Sequence, residues 1–324
     1  MREGVGRNGR HLYPAFPYTS FTKMSDADLQ ALYAWLMAAI PVKSTGPETR
    51  LPFPFNLRPM LAGWNAMYLK AGAMREAPNQ SAVWNRGAYL VESIGHCSAC
   101  HAPRDALGGE RRKGDPFAGG SADGWDAPAL GRASPAPVRW DSQAFFDYLR
   151  HGSSDVHGPA AGPMVPVIEG LAVLPDEDIR AMALYLASLD PAAGDPRLGT
   201  ATANIIRETT ETSRNRHEAP DARLFEGACA VCHAPGGPEL FGRKWPLGLN
   251  SNVHAGRPDN LIRIILDGSA AIDSRHGAMP AFRHTLTDQQ IASIVAYVRQ
   301  TYAPTRSELT EVEARVAQLR RHYP

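Results

Sequence analysis

Two short stretches constrain this chain more than any other feature: Cys97-Ser98-Ala99-Cys100-His101 and Cys229-Ala230-Val231-Cys232-His233. Cys-x-x-Cys-His is the attachment signature of c-type haem. On a helical turn, residues i, i+3 and i+4 share one face. Two thiols there can add across the two vinyl groups of one porphyrin, while the histidine reaches the iron from below. The chain holds 4 cysteines, and the two motifs use all of them. Other chemistries of Cys-x-x-Cys fit less well. A zinc site needs both pairs to converge or further Cys and His nearby. A thioredoxin-like dithiol needs a strand-helix-strand setting, and neither copy has one.

The rest of the chain agrees with a helical, haem-filled protein. Gly (29) and Pro (27) are abundant and alternating β-branched runs are few, which predicts short helices joined by long loops. A formal net charge of +1 over 324 residues gives no electrostatic case for a nucleic-acid partner. No apolar run approaches the ~20 residues of a spanning helix. Haem c is attached outside the bacterial inner membrane, so an export signal is expected. Met1-Arg2-Glu3-Gly4-Val5-Gly6-Arg7 has no apolar core of that kind. The expectation is that the natural reading frame begins upstream.

One helical pattern occurs three times, over 24–36, 174–186 and 286–298. In each, an aspartate (Asp26, Asp176, Asp288) precedes an aromatic residue (Trp35, Tyr185, Tyr297) by nine positions. Ser25 and Thr287 suit N-caps and Pro175 suits a first turn, so the aspartates read as capping-region residues and not as acid/base groups. Apolar residues at i, i+3 and i+7 predict one buried face per helix. Upstream, Gly4, Gly152 and Gly268 are placed to end a preceding helix with a left-handed cap. Phe16 and Met164 follow Gly4 and Gly152 by twelve residues, and Met279 follows Gly268 by eleven. Met164 (after Pro163) and Met279 (before Pro280) therefore hold equivalent loop slots. A thioether is the usual sixth ligand of an electron-transfer haem, so Met164 is assigned to the first haem with His101, and Met279 to the second with His233.

Other residues are weighed against these. His157 and His276 lie in the same loops and are rival sixth ligands, otherwise surface or haem-edge residues. His96 reads as structural, and Met60, Met67, Met74 and Met182 as core filler. Arg104 suits a haem propionate or plain surface equally. Six segments follow. Residues 1–42 read as the back half of a haem domain without its own motif, with Phe16 in the methionine slot and His11 a weak ligand candidate. Residues 43–80 are a Pro-rich linker with a helix-like second half through Trp64, Met67 and Tyr68. Residues 81–192 and 221–303 are haem domains, and 193–220 is a polar linker. In 304–324, Leu309, Val312, Val316 and Leu319 predict an amphipathic helix, with Arg320 and Arg321 near its end, that docks on its own domain or a partner.

These residues resemble a known family. Residues 9–18 (Gly-Arg-His-Leu-Tyr-Pro-Ala-Phe-Pro-Tyr), 84–91 (Trp-Asn-Arg-Gly-Ala-Tyr-Leu-Val), Gly95-His96 with the first motif and Ala102-Pro103-Arg104, and Ala161-Gly162-Pro163-Met164 resemble the three-haem cytochrome c subunit of bacterial membrane-associated dehydrogenases. That family serves alcohol, gluconate, sorbitol and fructose dehydrogenases, and molybdenum hydroxylases of the isoquinoline/nicotinate type. The Phe16 form is more similar to the molybdenum group. The resemblance implies an all-α fold of tandem class I cytochrome c domains, with axial methionines at the positions assigned by spacing. It also implies a flavin, quinoprotein or molybdenum dehydrogenase as partner, ubiquinone or a terminal oxidase as acceptor, and a periplasmic place on the inner membrane. This chain departs from the family in lacking the first of three motifs, which leaves two haem c groups.

The expected role is electron relay, with no catalytic site in the chain. His and Met on both faces leave the iron no open position, so it can only cycle between Fe(III) and Fe(II). A dihaem peroxidase needs one displaceable ligand, and a free sensor or shuttle needs no partner. The first prediction follows from the motifs. Acid acetone is expected to leave the colour on the purified polypeptide, and alkaline pyridine spectra to count two haems per chain. Cys97→Ala with Cys100→Ala is expected to lower that count by one, as is the Cys229/Cys232 pair.

Overall fold

The computed structural model describes residues 1–46, 49–51, 53–54, 56–111, 114–235, 245–270 and 277–322. The helices run α1 (Tyr18–Phe21), α2 (Asp26–Ala38), α3 (Met60–Tyr68), α4 (Ala82–Tyr89), α5 (Ser98–His101), α6 (Ser142–His151), α7 (Met164–Leu171), α8 (Asp176–Ser188), α9 (Leu198–Arg216), α10 (Arg223–Ala228), α11 (Ala230–His233), α12 (Ser251–His254), α13 (Asp259–Asp267), α14 (Asp288–Tyr302) and α15 (Val312–His322). Two small antiparallel hairpins interrupt them, so the fold is mostly helical and not strictly all-α. They are β1 (Gly120–Ala122) with β2 (Trp125–Ala127), and β3 (Ser153–Ser154) with β4 (Gly158–Pro159). The first turns on Asp123 and Gly124, both at positive φ, which is the two-residue turn that matches strand twist.

In the first core, α4 crosses α8. Ser81 caps α4 by accepting from the Trp84 N–H at 3.1 Å. Asp176, Glu177 and Asp178 place negative charge at the positive end of α8. Arg86 binds Asp178 through two nitrogens, each at 2.8 Å, pinning the helices side by side. Val91, Ile179, Met182, Ala183 and Leu186 are buried where they meet. The crossing is so close that a Cβ on Gly87 would overlap the Ala181 carbonyl. α6 adds Phe145, Phe146 and Leu149 to the same core. It starts on Asp141, which accepts from the Ala144 N–H at 2.7 Å, and ends on Gly152 in the left-handed conformation, φ 75°.

The second core repeats this with α10, α13 and α14, and adds α15. Thr287 and Gln290 form a reciprocal capping box at the start of α14. Ile262, Leu266, Ile291, Ile294, Val295 and Tyr297 fill the interior, and Val316 and Leu319 of α15 are buried against them. Leu309 lies ahead of α15, outside the helix that its spacing suggested. Arg315 and Arg257 both pair with the buried Asp259, and Arg320 pairs with Asp288 at 2.6 Å, so the terminal segment docks on its own domain.

Several expectations need correction. The polar stretch 193–220 is mainly α9, a 19-residue helix that buries Thr209 and Ser213 and hydrogen-bonds Tyr302 through Ser213 at 3.1 Å. Small polar side chains were enough to pack there, and they carry little hydropathy signal. Met182 fills the core and Met74 packs at its edge, but Met60 and Met67 are exposed on α3. α2 has its expected Ser25 cap yet buries none of its residues: Trp35 is 70% exposed and Met37 66%. Gly4 has positive φ, 62°. No described helix is long and apolar enough to cross a membrane.

Gly87 generates a stability prediction. Gly87→Val forces α4 and α8 apart, which for an overpacked core costs about 1–3 kcal/mol. Thermal unfolding followed by far-ultraviolet circular dichroism should show a clear drop in Tm; an unchanged Tm would mean that the crossing tolerates a side chain.

Candidate functional site

Each Cys-x-x-Cys-His forms one helical turn. Cys97 opens α5 and Cys229 opens α11, and each accepts at its carbonyl from the N–H of its histidine, at 2.9 Å for His101 and 2.8 Å for His233. A π-helical turn, Leu90–Ile94, ends α4 just ahead of the first motif. Such turns redirect a chain at functional sites. It is followed by Gly95 and by His96 at φ 39°, whose ring meets Phe21 edge-on at 5.4 Å.

The first motif faces a cavity of about 210 Å³, whose lining includes Cys97, Cys100, His101, Met164 and Met182. His101 is buried and donates from Nδ1 to the Pro128 carbonyl at 2.7 Å. That fixes the tautomer and leaves Nε2 as the nitrogen with a lone pair. Burial lowers the His101 pKa, so the ring stays neutral and able to ligate. The second motif faces a cavity of about 480 Å³, lined by Cys229, Cys232, His233 and Met279. Met279 is held by a two-way backbone bridge to Ser269, 3.0 Å in each direction. The methionines share a place in the sequence but not a conformation: Met164 opens α7 and is not in a loop, whereas Met279 lies in extended chain.

The donor sets fit a haem c and suit the rival chemistries badly. Desolvation pushes the Cys97 thiol up to about 12 and Cys229 to about 11, the reverse of what a reactive dithiol or a thiolate-bound metal needs. Among the described residues no group of three or more His, Cys, Asp or Glu stands close enough to hold an ion. Each cavity gathers the two cysteines and the histidine of one helical turn together with a methionine, within largely apolar walls.

The remaining candidates scatter. Arg104 is exposed and donates to the carbonyls of Ala99 and Gly108, each at 2.7 Å, so it braces the turn after the motif and does not line the cavity. Asp26, Asp176 and Asp288 stand in the first turns of α2, α8 and α14, each paired with an arginine. Phe16 is 39% exposed and packs on Phe21, and His11 lies near Asn65. His276 lies outside the described residues. His157 is not a surface residue: it is 4% exposed and lines the first cavity.

Sequence reasoning missed what joins the cavities. Pro159, Ala161 and Asn252 line both. Across this seam, Asn260 of α13 accepts from the Asp126 N–H at 2.9 Å and donates to the Asp126 carbonyl at 2.8 Å. Arg263 donates to the Gly124 carbonyl at 3.1 Å, and Arg257 pairs with Asp126 at 3.1 Å. The Asp123-Gly124 turn was a readable hairpin signal; nothing in sequence marked Asn260 as its partner.

Comparison with known proteins fits this geometry. The family model "Cytochrome c" matches residues 85–190, and "Cytochrome C oxidase, cbb3-type, subunit III" matches residues 219–298. The chain is 47% identical over 322 residues to a nicotinate dehydrogenase subunit of Pseudomonas putida, covering 99% of this chain and 26% of that one. It is 35% identical to the fructose dehydrogenase cytochrome subunit of Gluconobacter japonicus, over 92% of this chain and 65% of that one. It is also 35% identical to the gluconate 2-dehydrogenase cytochrome c subunit of Pantoea cypripedii, over 99% of this chain and 75% of that one. The chain thus spans about a quarter of the first relative and about two thirds of the second.

The seam generates the next prediction. Asn260→Ala leaves a backbone N–H and a carbonyl of Asp126 without partners, at a cost of about 1–3 kcal/mol. Scanning calorimetry should show a lower Tm, and limited proteolysis faster cutting between the two cores. Unchanged values in both would show that the seam does not depend on this residue.

Proposed function

The chain belongs to the cytochrome c subunits of dehydrogenases, and from that premise we propose that it relays electrons from a catalytic dehydrogenase subunit to a respiratory acceptor over two covalently bound haem c groups. The observation that carries this is the repeated lining: each cavity brings together both cysteines and the histidine of one motif with the methionine assigned to it, Met164 or Met279, and the first cavity also has the core residue Met182 on its wall. Bound there, haem c supplies a one-electron Fe(III)/Fe(II) couple. Cys97 and Cys100, and Cys229 and Cys232, anchor it through thioether bonds. His101 and Met164 would supply the iron ligands of the first haem, and His233 and Met279 those of the second. Apolar walls favour the less charged ferrous state, and methionine ligation keeps the potential high enough to accept from a dehydrogenase cofactor.

Several finer features belong to the same proposal. The matches at 85–190 and 219–298 support tandem cytochrome c domains over 81–192 and 221–303. Residues 1–42 form the back half of a further domain of this kind. The names of the relatives support a partner of the nicotinate, fructose or gluconate dehydrogenase type; molybdenum, flavin or quinoprotein chemistry in that partner, and a quinone or oxidase as acceptor, complete the proposal. The place proposed is the periplasm, peripheral on the inner membrane.

Spectroscopy of the native complex tests the ligand set. The ferric protein is expected to show the far-red thioether-to-iron charge-transfer band from both haems, and the ferrous protein to resist carbon monoxide. Met164→Ala and Met279→Ala should each remove half of that band and open one haem to carbon monoxide. Rapid carbon monoxide binding by the unmodified protein would instead favour a peroxidase. Adding the partner's substrate to the complex should reduce both haems; a chain that purifies alone and stays oxidised would count against relay.

A further inference from the structure

His157 is a buried polar residue that the relay reading leaves unused. It sits in the turn between β3 and β4, with its backbone N–H bonded to the Ser154 carbonyl at 3.1 Å. Its ring lies flat against Trp140, with centroids 3.7 Å apart and planes 10° apart. Trp140 is itself held by Phe145 at 4.9 Å and by Tyr148 edge-on at 5.3 Å. The imidazole therefore has little freedom to turn. It is 4% exposed, and neither Nδ1 nor Nε2 has a hydrogen-bond partner among the described residues. Yet it lines the first cavity, beside Cys97, His101 and Met164.

Burying an imidazole with both nitrogens unpaired is costly, because each has given up water without a replacement partner. A site that keeps such a ring fixed against a cavity wall is built for a partner inside the cavity. Burial holds the pKa down at about 3, so at neutral pH the ring is neutral, with one N–H to give and one lone pair to receive. At the edge of a haem c, methyl and thioether substituents accept no strong hydrogen bond. The carboxylates of the two propionates do. Iron ligation is the other use of such a ring, but Met164 lines the same cavity.

We propose that His157 is a positioning residue that donates a hydrogen bond from its ring to a propionate carboxylate of the haem at Cys97 and Cys100. This rests on the haem reading given above. The bond draws negative charge away from the iron's surroundings, so it makes the first haem easier to reduce. Trp140 sets the plane from which the bond is made.

The test uses the full chain in its native complex, with His157→Phe and His157→Gln compared by spectroelectrochemical titration. In the Phe variant the far-red band should persist and both haems should remain attached. The first haem should become harder to reduce, its reduced-to-oxidised ratio falling at least threefold at the potential that half-reduces the wild type, with the second haem unmoved. The Gln variant, which keeps a donor, should recover most of the change. In the diamagnetic ferrous wild type, the His157 ring N–H should appear as a slowly exchanging proton with cross-peaks to a propionate methylene. That measurement stands even if the Phe variant fails to fold. An unmoved potential in the Phe variant, or a missing cross-peak, overturns the inference alone. Loss of low-spin character at one haem would make His157 an iron ligand and overturn it too. A wild-type chain with no haem on Cys97 and Cys100 would overturn both this inference and the reading beneath it.

Discussion

The arrangement depends on a seam. Asp126 and Asn260 exchange two hydrogen bonds between units separated by more than 130 residues of chain. Both bonds fall on the Asp126 backbone, so the Asn260 side chain grips the hairpin β1–β2 by its main chain. Arg257 then joins Asp126 to the buried Asp259, and Arg315 of α15 closes the same group from the other side. Desolvation, the main influence on Asp126, raises its pKa, and Arg257 opposes that shift. An ion pair of this kind adds little net stability, but its geometry is specific. The result is that the walls of both cavities share Pro159, Ala161 and Asn252. Redox centres built on those walls would share three wall residues, one of which, Asn252, lies on α12.

Each cavity in turn is a by-product of how its helices cross. In the first unit, Gly87 lets α4 and α8 approach until backbone meets backbone, which leaves the motif turn α5 to one side of the core instead of inside it. His101 is then fixed by a carbonyl from Pro128, well away in sequence. In the second unit Arg299, buried and with its pKa lowered by that burial, ties the Val253 and Ala255 carbonyls at 2.6 and 2.8 Å, holding α12 on α14. Both units therefore use ordinary helix packing to shape a slot, and neither fills it with its own large side chains.

Local rules were legible in the sequence, and pairings at a distance were not. The two motifs, the Ser25 and Thr287 caps, the left-handed Gly152 and the helical repeats could all be read because each depends on residues within a turn or two. The methionine slots were readable as positions counted from a glycine, although Met164 opens a helix and Met279 lies in a bridge. Helix α9 was missed because Thr209 and Ser213 pack through small size, not hydropathy. The Pro128 carbonyl, Asn260 and the His157–Trp140 stack had no sequence signal, since each acquires its role from a neighbour that the fold supplies.

The three repeated helices show where pattern stops and packing begins. α2, α8 and α14 share the aspartate-to-aromatic spacing and a sound first turn, yet α8 and α14 bury a face and α2 buries nothing. The difference is the crossing partner. Tyr185 of α8 meets Trp84 of α4 edge-on at 5.0 Å, and Tyr297 of α14 meets Phe225 of α10 at 4.9 Å. Trp35 occupies the same place in α2 and stands 70% exposed, with Tyr33, Leu36, Met37 and Ile40 beside it. An amphipathic period thus specifies which face can be buried, while burial itself requires a second helix with a matching face. The N-terminal segment stays attached by other means: Ser25 donates its N–H to the Tyr89 hydroxyl at 2.9 Å and Lys23 pairs with Glu92 at 2.8 Å. Those bonds hold residues 18–25 against the first unit and leave the apolar face of α2 directed elsewhere.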